Sequence, residues 1–399
     1  MDKYIIKSSK IQTPEKLIDG GLLINGKQIE KILEKKSLKD YSKFEIIDMG
    51  DNLIIPGLID IHIHGSGGWA AGAANVENVE GLCKYLPSVG VTSFQPTLGG
   101  EDRLTINKSL RAIREVMEGS YNGARMLGIH MEGPFLNPEE KGAFIVENLL
   151  EPSVDIMKEF IESSGGNITH MTVAPEIEGA KELIEYLVHN NILVAGGHTN
   201  ATIEETKEGI KWGVSLSTHT CNAQRSIHHR EPGALGAYLL DDEIYCELIC
   251  DLFHVHPDMI ELILRLKSTD RVCMISDAII GSGLKPGIYE FSNRTVNIDE
   301  EGWSRLPNGT IAGSTKSLLF GFKNMVQLGY KLEDVVKMSS HIPAKLLKVE
   351  DKKGSIEEGK DADLVVLDKE YNVIRTYVEG KLQFNVENDQ VILNDKLNK

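Results

Sequence analysis

The chain has 399 residues, of which 41% are hydrophobic and 26% are charged. This composition is too apolar for a disordered chain and too polar for a membrane protein, and no apolar run approaches the ~18 residues that span a bilayer. An excess of 59 acidic over 43 basic residues gives a net charge of −16, which argues against nucleic acid or an anionic membrane as the partner. An anionic small molecule remains compatible with this charge, because it needs only a local positive pocket.

The chain contains five cysteines and no CxxC pair; they are Cys83, Cys221, Cys246, Cys250 and Cys273. An odd number of cysteines without such a pair argues against a disulfide framework or a zinc ribbon and favours a reducing compartment. The first ten residues do not have the apolar stretch of a signal peptide. The sequence therefore predicts a cytoplasmic protein.

Short strands are predicted over the first 55 residues, with a hairpin turn at Asn25-Gly26. After Pro56-Gly57, eight short apolar runs alternate with amphipathic segments. These runs predict strands over 58–62, 91–95, 126–132, 170–174, 192–198, 214–219, 245–250 and 272–277. Apolar residues spaced by three and four predict helices over 104–117, 154–161, 180–188, 203–212 and 257–266.

The rest of the chain begins with a segment rich in turn residues, 281–309, and continues with helices predicted over 317–328 and from 332 to about 347. Strand patterns return at 364–367, 373–378 and 391–393. Eight strands that alternate with helices predict an α/β fold, a closed (β/α)8 barrel of the TIM type, over residues 56–348. Residues 1–55 and 349–399 are expected to pair into a small β-sandwich domain.

Histidines and carboxylates stand at the ends of several predicted strands, where barrels of this type collect their functional residues. His62 and His64 are two residues apart, so both side chains face the barrel mouth. The third, fifth, sixth and eighth strands end in Glu132, His198, His219 and Asp277. Imidazole and carboxylate groups that converge in this way suit a divalent transition metal. The sequence predicts a metal site there, with Glu132 as the candidate bridge between two ions.

Longer motifs support a resemblance over nearly the whole chain. They are PGLIDIHIHG (56–65), HMEGPF (130–135), GGHTNA (196–201), THTCNAQ (218–224), HHREPG (228–233), HVHPDM (254–259) and GSIEEGKDADLVVLD (354–368). With these motifs, the chain resembles the N-acetylglucosamine-6-phosphate deacetylase family of the amidohydrolase superfamily. The family implies hydrolysis of the N-acetyl group of N-acetyl-D-glucosamine 6-phosphate, giving D-glucosamine 6-phosphate and acetate in amino-sugar catabolism. It also implies a homodimer.

The resemblance assigns roles to individual residues. Glu132, His198 and His219 match the ligands of the main metal ion, and His62 and His64 match the pair that holds a second ion in some members. One or two ions of zinc, iron, manganese or cobalt are therefore expected in each subunit. Asp277 matches the catalytic acid/base. The positions that match substrate contacts are Ala143, Asn222, Ala223, Arg230, His254, Ile311, Ala312 and Gly313.

Some positions depart from the family pattern, and all of them concern the sugar pocket. Phe144 stands where many members have His or Gln, Leu252-Phe253 replace a glycine-containing pattern before His254, and Gln224 replaces Met. Arg230 has two interpretations, phosphate capture by its forked guanidinium or a surface ion pair with Glu231. A deacetylase of N-acetylgalactosamine 6-phosphate or of an N-acylated amino acid stays open as an alternative, as does a non-catalytic binding protein of the same fold.

Overall fold

The computed structural model describes residues 3–291 and 294–394. The described strands, numbered in chain order, are β1 (Tyr4–Gln12), β2 (Leu17–Asn25), β3 (Gln28–Glu34), β4 (Glu45–Asp48), β5 (Leu53–Pro56), β6 (Leu58–Ile63), β7 (Gly65–Ser66), β8 (Trp69–Ala70), β9 (Val91–Leu98), β10 (Arg125–Met126), β11 (Ile129–Glu132), β12 (Ile168–Val173), β13 (Leu193–Gly196), β14 (Leu216–Ser217), β15 (Tyr245–Ile249), β16 (Val272–Ile275), β17 (Gly287–Phe291), β18 (Arg294–Ile298), β19 (Ser304–Arg305), β20 (Leu364–Leu367), β21 (Val373–Val378) and β22 (Lys381–Asn385). The described α-helices are α1 (Val76–Tyr85), α2 (Arg103–Glu118), α3 (Val154–Ser163), α4 (Ala180–His189), α5 (Ile203–Trp212), α6 (Gly233–Leu240), α7 (Pro257–Lys267), α8 (Leu318–Gln327), α9 (Leu332–Val336) and α10 (Ile342–Leu346).

The central element is a barrel of parallel strands that confirms the predicted fold class. Its order is β6, β9, β11, β12, β13, β14, β15 and β16, with the short β10 also paired to β9. The last and first strands meet through a hydrogen bond from the amide of Asp277 to the carbonyl of His62, 2.9 Å long. A parallel bridge between Ile63 and Ala278 lies beside it. The barrel is thus closed at the point where the predicted metal ligands and the predicted acid/base stand.

Helices pack around this barrel because each presents one apolar face to it. Asp102 caps the start of α2, and Thr202 and Glu205 form a reciprocal capping box at α5. The helix predicted over 203–212 has those bounds in the structure. The sequence prediction did not include α1 or α6. All residues of α6 except the last are buried. Its sequence is therefore apolar throughout and lacks the alternation of apolar and polar residues that predicts a helix.

Strands from both ends of the chain join in one eight-stranded mixed sheet, in the order β22, β21, β20, β5, β1, β2, β3, with β4 also paired to β1. Antiparallel pairing of β5 with β20 brings residue 56 next to residue 364. Ile6, Ile24, Ile54 and Leu364 form part of a separate apolar core on this sheet. The predicted association of the two ends into one β unit is therefore present.

The strand predicted over 391–393 was wrong, and the segment 281–309, described from the sequence only as turn-rich, is partly regular. The turn-rich segment 281–309 contains the antiparallel strands β17, β18 and β19. Residues 391–393, predicted as a strand, have no strand pairing. Instead the carbonyl of Ile392 accepts a hydrogen bond from Trp69 Nε1 at 2.8 Å, and Asn394 Nδ2 donates to the carbonyl of Gly68 at 2.9 Å. The tail therefore docks on the β7–β8 hairpin through single polar contacts.

All five cysteines are free thiols, as expected. Among the helices of residues 3–291 and 294–394, none combines the length and apolar character that a membrane span requires.

Candidate active site

A cavity of about 550 Å³ opens at the carboxyl ends of the barrel strands. Twelve of the fourteen residues predicted for the site line it: His64, Glu132, Ala143, His198, His219, Asn222, Ala223, His254, Asp277, Ile311, Ala312 and Gly313. His62 is fully buried and contacts Glu132 and Asp277. Arg230 is exposed and does not line the cavity. The sequence prediction and the cavity therefore agree at every position except Arg230 and the buried His62.

One group of possible metal ligands is formed by Glu132, His198 and His219. His219 Nε2 lies 2.8 Å from Glu132 Oε1, and His198 Nε2 lies 3.1 Å from the same oxygen. The two imidazole nitrogens are themselves 3.1 Å apart. All three side chains are buried. Their ligand atoms therefore converge on one point at the ends of β11, β13 and β14.

A second group consists of His62, His64 and the same Glu132. His64 Nε2 lies 3.0 Å from Glu132 Oε2, whereas His62 Nε2 lies 3.5 Å from Oε1, the oxygen that His198 and His219 also contact. Asp277 Oδ1 lies 3.4 Å from His64 Nε2 and 3.5 Å from His62 Nε2. Glu132 thus stands between the two groups, and Asp277 stands beside the second one.

In the neutral form of His198 and His62, the hydrogen bonds of the outer ring nitrogens leave the inner nitrogens with lone pairs. His198 Nδ1 donates to the carbonyl of Glu140 at 2.8 Å, so in the neutral ring Nε2 carries a lone pair toward Glu132. His62 Nδ1 faces Glu247 Oε2 at 3.0 Å, and His62 Nε2 is buried without a hydrogen-bond partner among the described residues. In that neutral form, the lone pairs and the Glu132 carboxylate face one another in a buried space, which favours a cation between them. The donor set of imidazole nitrogens and carboxylate oxygens fits a divalent metal ion.

Electrostatics favour ionised carboxylates in this site. Burial alone would raise the pKa of Glu132. The charge that His62 carries when protonated, and hydrogen bonds from protonated His198 and His219, instead hold that pKa well below its usual range. Burial opposes ionisation of Asp277 as well, and the neighbouring His62 and His64 nevertheless lower its pKa. The same carboxylates raise the pKa of His64 to about 9 despite its burial. Both carboxylates are therefore proton acceptors at neutral pH.

Several site residues adopt left-handed backbone conformations that residues other than glycine rarely use. The φ angles are 47° at His198, 26° at His219, 45° at Ala223 and 49° at Asp277. Such conformations cost of order 1–3 kcal/mol each and cluster at functional sites.

The side of the cavity that matches the sugar contacts contains a second polar cluster. His254 Nδ1 donates to Asp251 Oδ2 at 2.8 Å, and Ser314 Oγ donates to the same oxygen at 2.8 Å. Although burial opposes protonation, the hydrogen bond to Asp251 raises the pKa of His254. The ring of Phe144 meets the ring of His198 edge-on, with 4.9 Å between centroids. This departure from the family pattern therefore places an apolar ring against a possible metal ligand.

Arg230 is not brought to the cavity of its own chain. Its Nη1 lies 2.8 Å from His229 Nε2, and Glu231 pairs with Arg225 at 2.9 Å. Among the described residues, Glu231 is paired with Arg225 and not with Arg230, and the phosphate role of Arg230 stays a prediction. Among the described residues, Lys141 is the one Lys or Arg side chain in the cavity lining, and its Nζ donates to the carbonyl of Phe144 at 3.0 Å.

Three carboxylates that contact predicted site residues were not predicted: Asp60, Glu247 and Asp251. Glu247 is fully buried inside the apolar strand β15. A charged residue in a buried apolar run is itself a signal, because such a charge requires partners. The sequence alone does not say which partners these are.

Comparisons with known proteins agree with this site. The model of the amidohydrolase family matches residues 53–388. N-acetylglucosamine-6-phosphate deacetylase of Bacillus subtilis (strain 168) is 35% identical over 396 residues, covering 98% of this chain and all of the relative. N-acetylgalactosamine-6-phosphate deacetylase of Escherichia coli O157:H7 is 33% identical over 331 residues, covering 83% of this chain and 87% of the relative.

A solved structure gives the same result. The crystal structure of N-acetylglucosamine-6-phosphate deacetylase from Pasteurella multocida aligns with a TM-score of 0.90 at 31% identity, over 96% of this chain and 100% of that one. The family match covers most of the chain, including the barrel and the histidine–carboxylate cluster at its mouth. The structural alignment covers the terminal sheet as well. The chain belongs to the amidohydrolase family.

Proposed function

We propose that the protein is a metal-dependent deacetylase that hydrolyses the N-acetyl group of N-acetyl-D-glucosamine 6-phosphate. The products are D-glucosamine 6-phosphate and acetate. The observation that carries this proposal is the position of Asp277 Oδ1, 3.4 Å from His64 Nε2, beside two possible metal groups that share Glu132. The names of the similar proteins support the choice of substrate.

Asp277 is the acid/base of the proposed reaction. Its lowered pKa keeps it ionised, so it accepts the proton of the attacking water while the water oxygen bonds to the acetamide carbon. Asp277 then gives this proton to the amide nitrogen as the carbon–nitrogen bond breaks, so the nitrogen leaves as a neutral amine and the acyl group as acetate. An amine leaves poorly unless it is protonated, so one carboxylate serves both steps.

The metal ligands in this proposal are Glu132, His198 and His219 for the main ion, and His62, His64 and Glu132 for a second one. A bound divalent ion supplies Lewis-acid activation of water and of the amide carbonyl. Zinc, iron, manganese and cobalt all suit these ligands. Two ions per chain are proposed because two ligand groups share Glu132, whose Oε1 lies by His219 and whose Oε2 lies by His64.

The substrate is held on the opposite side of the cavity. Asn222, Ala223 and His254 would contact the sugar and its phosphate, and residues 311–313 would form the neighbouring wall. The role of Arg230 on the phosphate stays a prediction, because in its own chain it stands outside the cavity lining. The homodimer and the cytoplasmic location implied by the family are likewise proposals for this chain.

A second candidate is deacetylation of N-acetylgalactosamine 6-phosphate. The relative from Escherichia coli O157:H7, at 33% identity, favours keeping it. The apolar Phe144 in the lining is a further reason, because it changes the surface that meets the substrate. A non-catalytic binding role is disfavoured, since every predicted metal ligand and Asp277 stand at the barrel mouth.

A substrate panel tests the proposal. The purified, zinc-loaded protein is given the 6-phosphates of N-acetylglucosamine and N-acetylgalactosamine, unphosphorylated N-acetylglucosamine and an N-acetyl amino acid, and free amine and acetate are measured. We expect the highest kcat/KM for N-acetylglucosamine 6-phosphate. A preference for the galactosamine compound would move the assignment to the second candidate, and no amine from any compound would refute a deacetylase.

A further inference from the structure

Glu247 contacts both possible metal groups without belonging to either. It is the third residue of β15 and is fully buried. Its Oε2 lies 3.0 Å from His62 Nδ1 and accepts a hydrogen bond from the backbone amide of His219, also at 3.0 Å. One carboxylate oxygen thus connects a histidine at the end of β6 with one just after β14.

The backbone of Glu247 supports the same turn. Its carbonyl accepts a hydrogen bond from the amide of Thr220 at 2.9 Å. The ladder between β14 and β15 ends at the pair Ser217 and Cys246. Beyond that pair, Glu247 replaces the missing strand contacts and holds His219 at its left-handed φ of 26°. The turn at His219 and Thr220 is thereby held by both the side chain and the backbone of Glu247.

The contact with His62 determines which nitrogen of that ring is available. Because a carboxylate oxygen accepts and cannot donate, His62 Nδ1 carries the proton of this bond. His62 Nε2 is then the free lone pair, and it is the atom directed toward Glu132 and Asp277. A carboxylate on the outer nitrogen also makes the inner nitrogen a stronger ligand. Loss of such a partner commonly lowers metal affinity 10- to 100-fold.

We infer that Glu247 is a positioning residue that acts through His62 to set the affinity of the ion held by His62, His64 and Glu132. The inference rests on the proposed function only in assuming that a metal ion binds at the barrel mouth. It concerns binding and not turnover, so it is tested on metal affinity without any substrate.

The experiment compares Glu247→Gln with the wild type in a Zn²⁺ titration of chelator-treated protein against a chromophoric chelator. The amide is nearly the same size and can still accept a hydrogen bond from the amide of His219, but it has no charge. We expect the affinity for one Zn²⁺ ion to fall roughly 10- to 100-fold. Glu247→Asp, which keeps the charge but withdraws it by one methylene, should give an intermediate value. It also provides a second variant should the glutamine protein fail to fold.

The route of the effect is tested in a His62→Ala background. If Glu247 acts through His62, adding Glu247→Gln there should leave the affinity for the remaining Zn²⁺ within about twofold, since the two changes are then not independent. Unchanged Zn²⁺ affinity in Glu247→Gln alone would overturn the inference. An equal loss with and without His62 would also overturn it, because Glu247 would then act on the rest of the site.

The matched control is Asp363→Asn, which neutralises another buried carboxylate, paired with Lys353 in the terminal sheet unit. It should lower thermal stability without changing Zn²⁺ affinity. Turnover of the wild type is measured separately. If Glu247→Gln lowers Zn²⁺ affinity as expected but the wild type does not deacetylate the substrate, the proposed function is refuted and this inference stands. If the wild type turns over substrate but Glu247→Gln leaves Zn²⁺ affinity unchanged, the inference is refuted and the proposed function stands.

Discussion

Asp277 Oδ1 lies 3.4 Å from His64 Nε2, and the amide of Asp277 donates to the carbonyl of His62 at 2.9 Å. The first and last barrel strands therefore meet at the residue that we propose as acid/base. The same contact closes the barrel and positions the Asp277 carboxylate. A substitution that disturbs barrel closure should therefore also displace this carboxylate.

Replacing Asp277 with Asn should abolish most turnover. Asparagine has nearly the same size but cannot accept a proton, and a general acid–base residue typically contributes at least ~100-fold to kcat. KM should change much less than kcat. Steady-state kinetics on the zinc-loaded variant check this, with metal content measured to confirm loading. A variant that retained most of its kcat would remove Asp277 from the mechanism.

Elemental analysis after reconstitution with excess Zn²⁺ should find two ions per chain. Glu132 presents Oε1 to His219 at 2.8 Å and Oε2 to His64 at 3.0 Å, which matches a bridging carboxylate. His62→Ala should reduce the count to one. If the wild type holds a single ion and His62→Ala does not change that number, the pair His62 and His64 is structural.

Arg230→Ala tests the role of phosphate. A charge-assisted hydrogen bond contributes roughly 1.5–3 kcal/mol. KM for the phosphorylated sugar should therefore rise about ten- to a hundredfold, and kinetics on the unphosphorylated sugar should barely move. Lys141→Met is the comparison, because Lys141 lines the cavity and Arg230 does not. Unchanged KM in Arg230→Ala would refute its role, and a raised KM in Lys141→Met alone would transfer that role to Lys141.

Gly313→Ala should impair catalysis through the backbone of Asp277. Gly313 has φ of +65°, and a Cβ there would stand 2.9 Å from the carbonyl oxygen of Asp277 and 2.6 Å from Ile279 Cγ2. Misplacing the carboxylate should lower kcat by roughly 10- to 100-fold. Gly309→Ala is the matched control, because it has φ of +87° and nothing within 4 Å. Equal kcat in the two variants would separate Gly313 from Asp277.

The pair of His254 and Asp251 should make stability depend on pH. Although burial opposes both charges, the hydrogen bond between the two groups raises the pKa of His254 above about 6.5 and lowers that of Asp251. The stabilisation from His254 is fully present below its unfolded-state pKa and is lost as pH rises through its raised folded-state pKa. The stabilisation from Asp251 is present above its unfolded-state pKa, near 3.8, and is lost as pH falls through the lower folded-state pKa.

Thermal denaturation of the metal-depleted wild type and Asp251→Asn measures this difference. The wild type should be more stable than Asp251→Asn by the largest margin between about pH 4 and 6.5. In this window His254 and Asp251 are both charged, in the folded and in the unfolded protein. The margin should shrink above that range as His254 loses its proton. A stability margin that grew as the pH rose above about 6.5 would contradict the raised pKa of His254.

Much of the fold was predictable because local patterns determine it. Alternation of apolar runs with helical periods predicted all eight barrel strands, and the spacing of apolar residues predicted α5 with its observed bounds. The apolar segment α6 escaped prediction, because a helix buried on nearly all sides has no period to read. The strands β17 to β19 escaped because turn residues dominate their sequence.

The candidate metal ligands were predictable for a related reason. His62 and His64 alternate along one strand, and each of Glu132, His198, His219 and Asp277 ends a run that is recognisable by itself. Because parallel strands in a barrel end on the same face, strand ends far apart in sequence must lie close together. The ligand residues therefore follow from local pattern and fold class together.

Only the tertiary structure decided how these groups contact one another. The contact of Glu247 with His62 spans 185 positions in the chain, and the bond of Asp277 to the carbonyl of His62 exists only after the barrel closes. It also placed Arg230 outside the cavity of its own chain. The sequence by itself determined which side chains stand at the strand ends, since that depends on residue spacing. Register, closure and backbone turns set their mutual distances, and these depend on packing between segments that no local pattern describes.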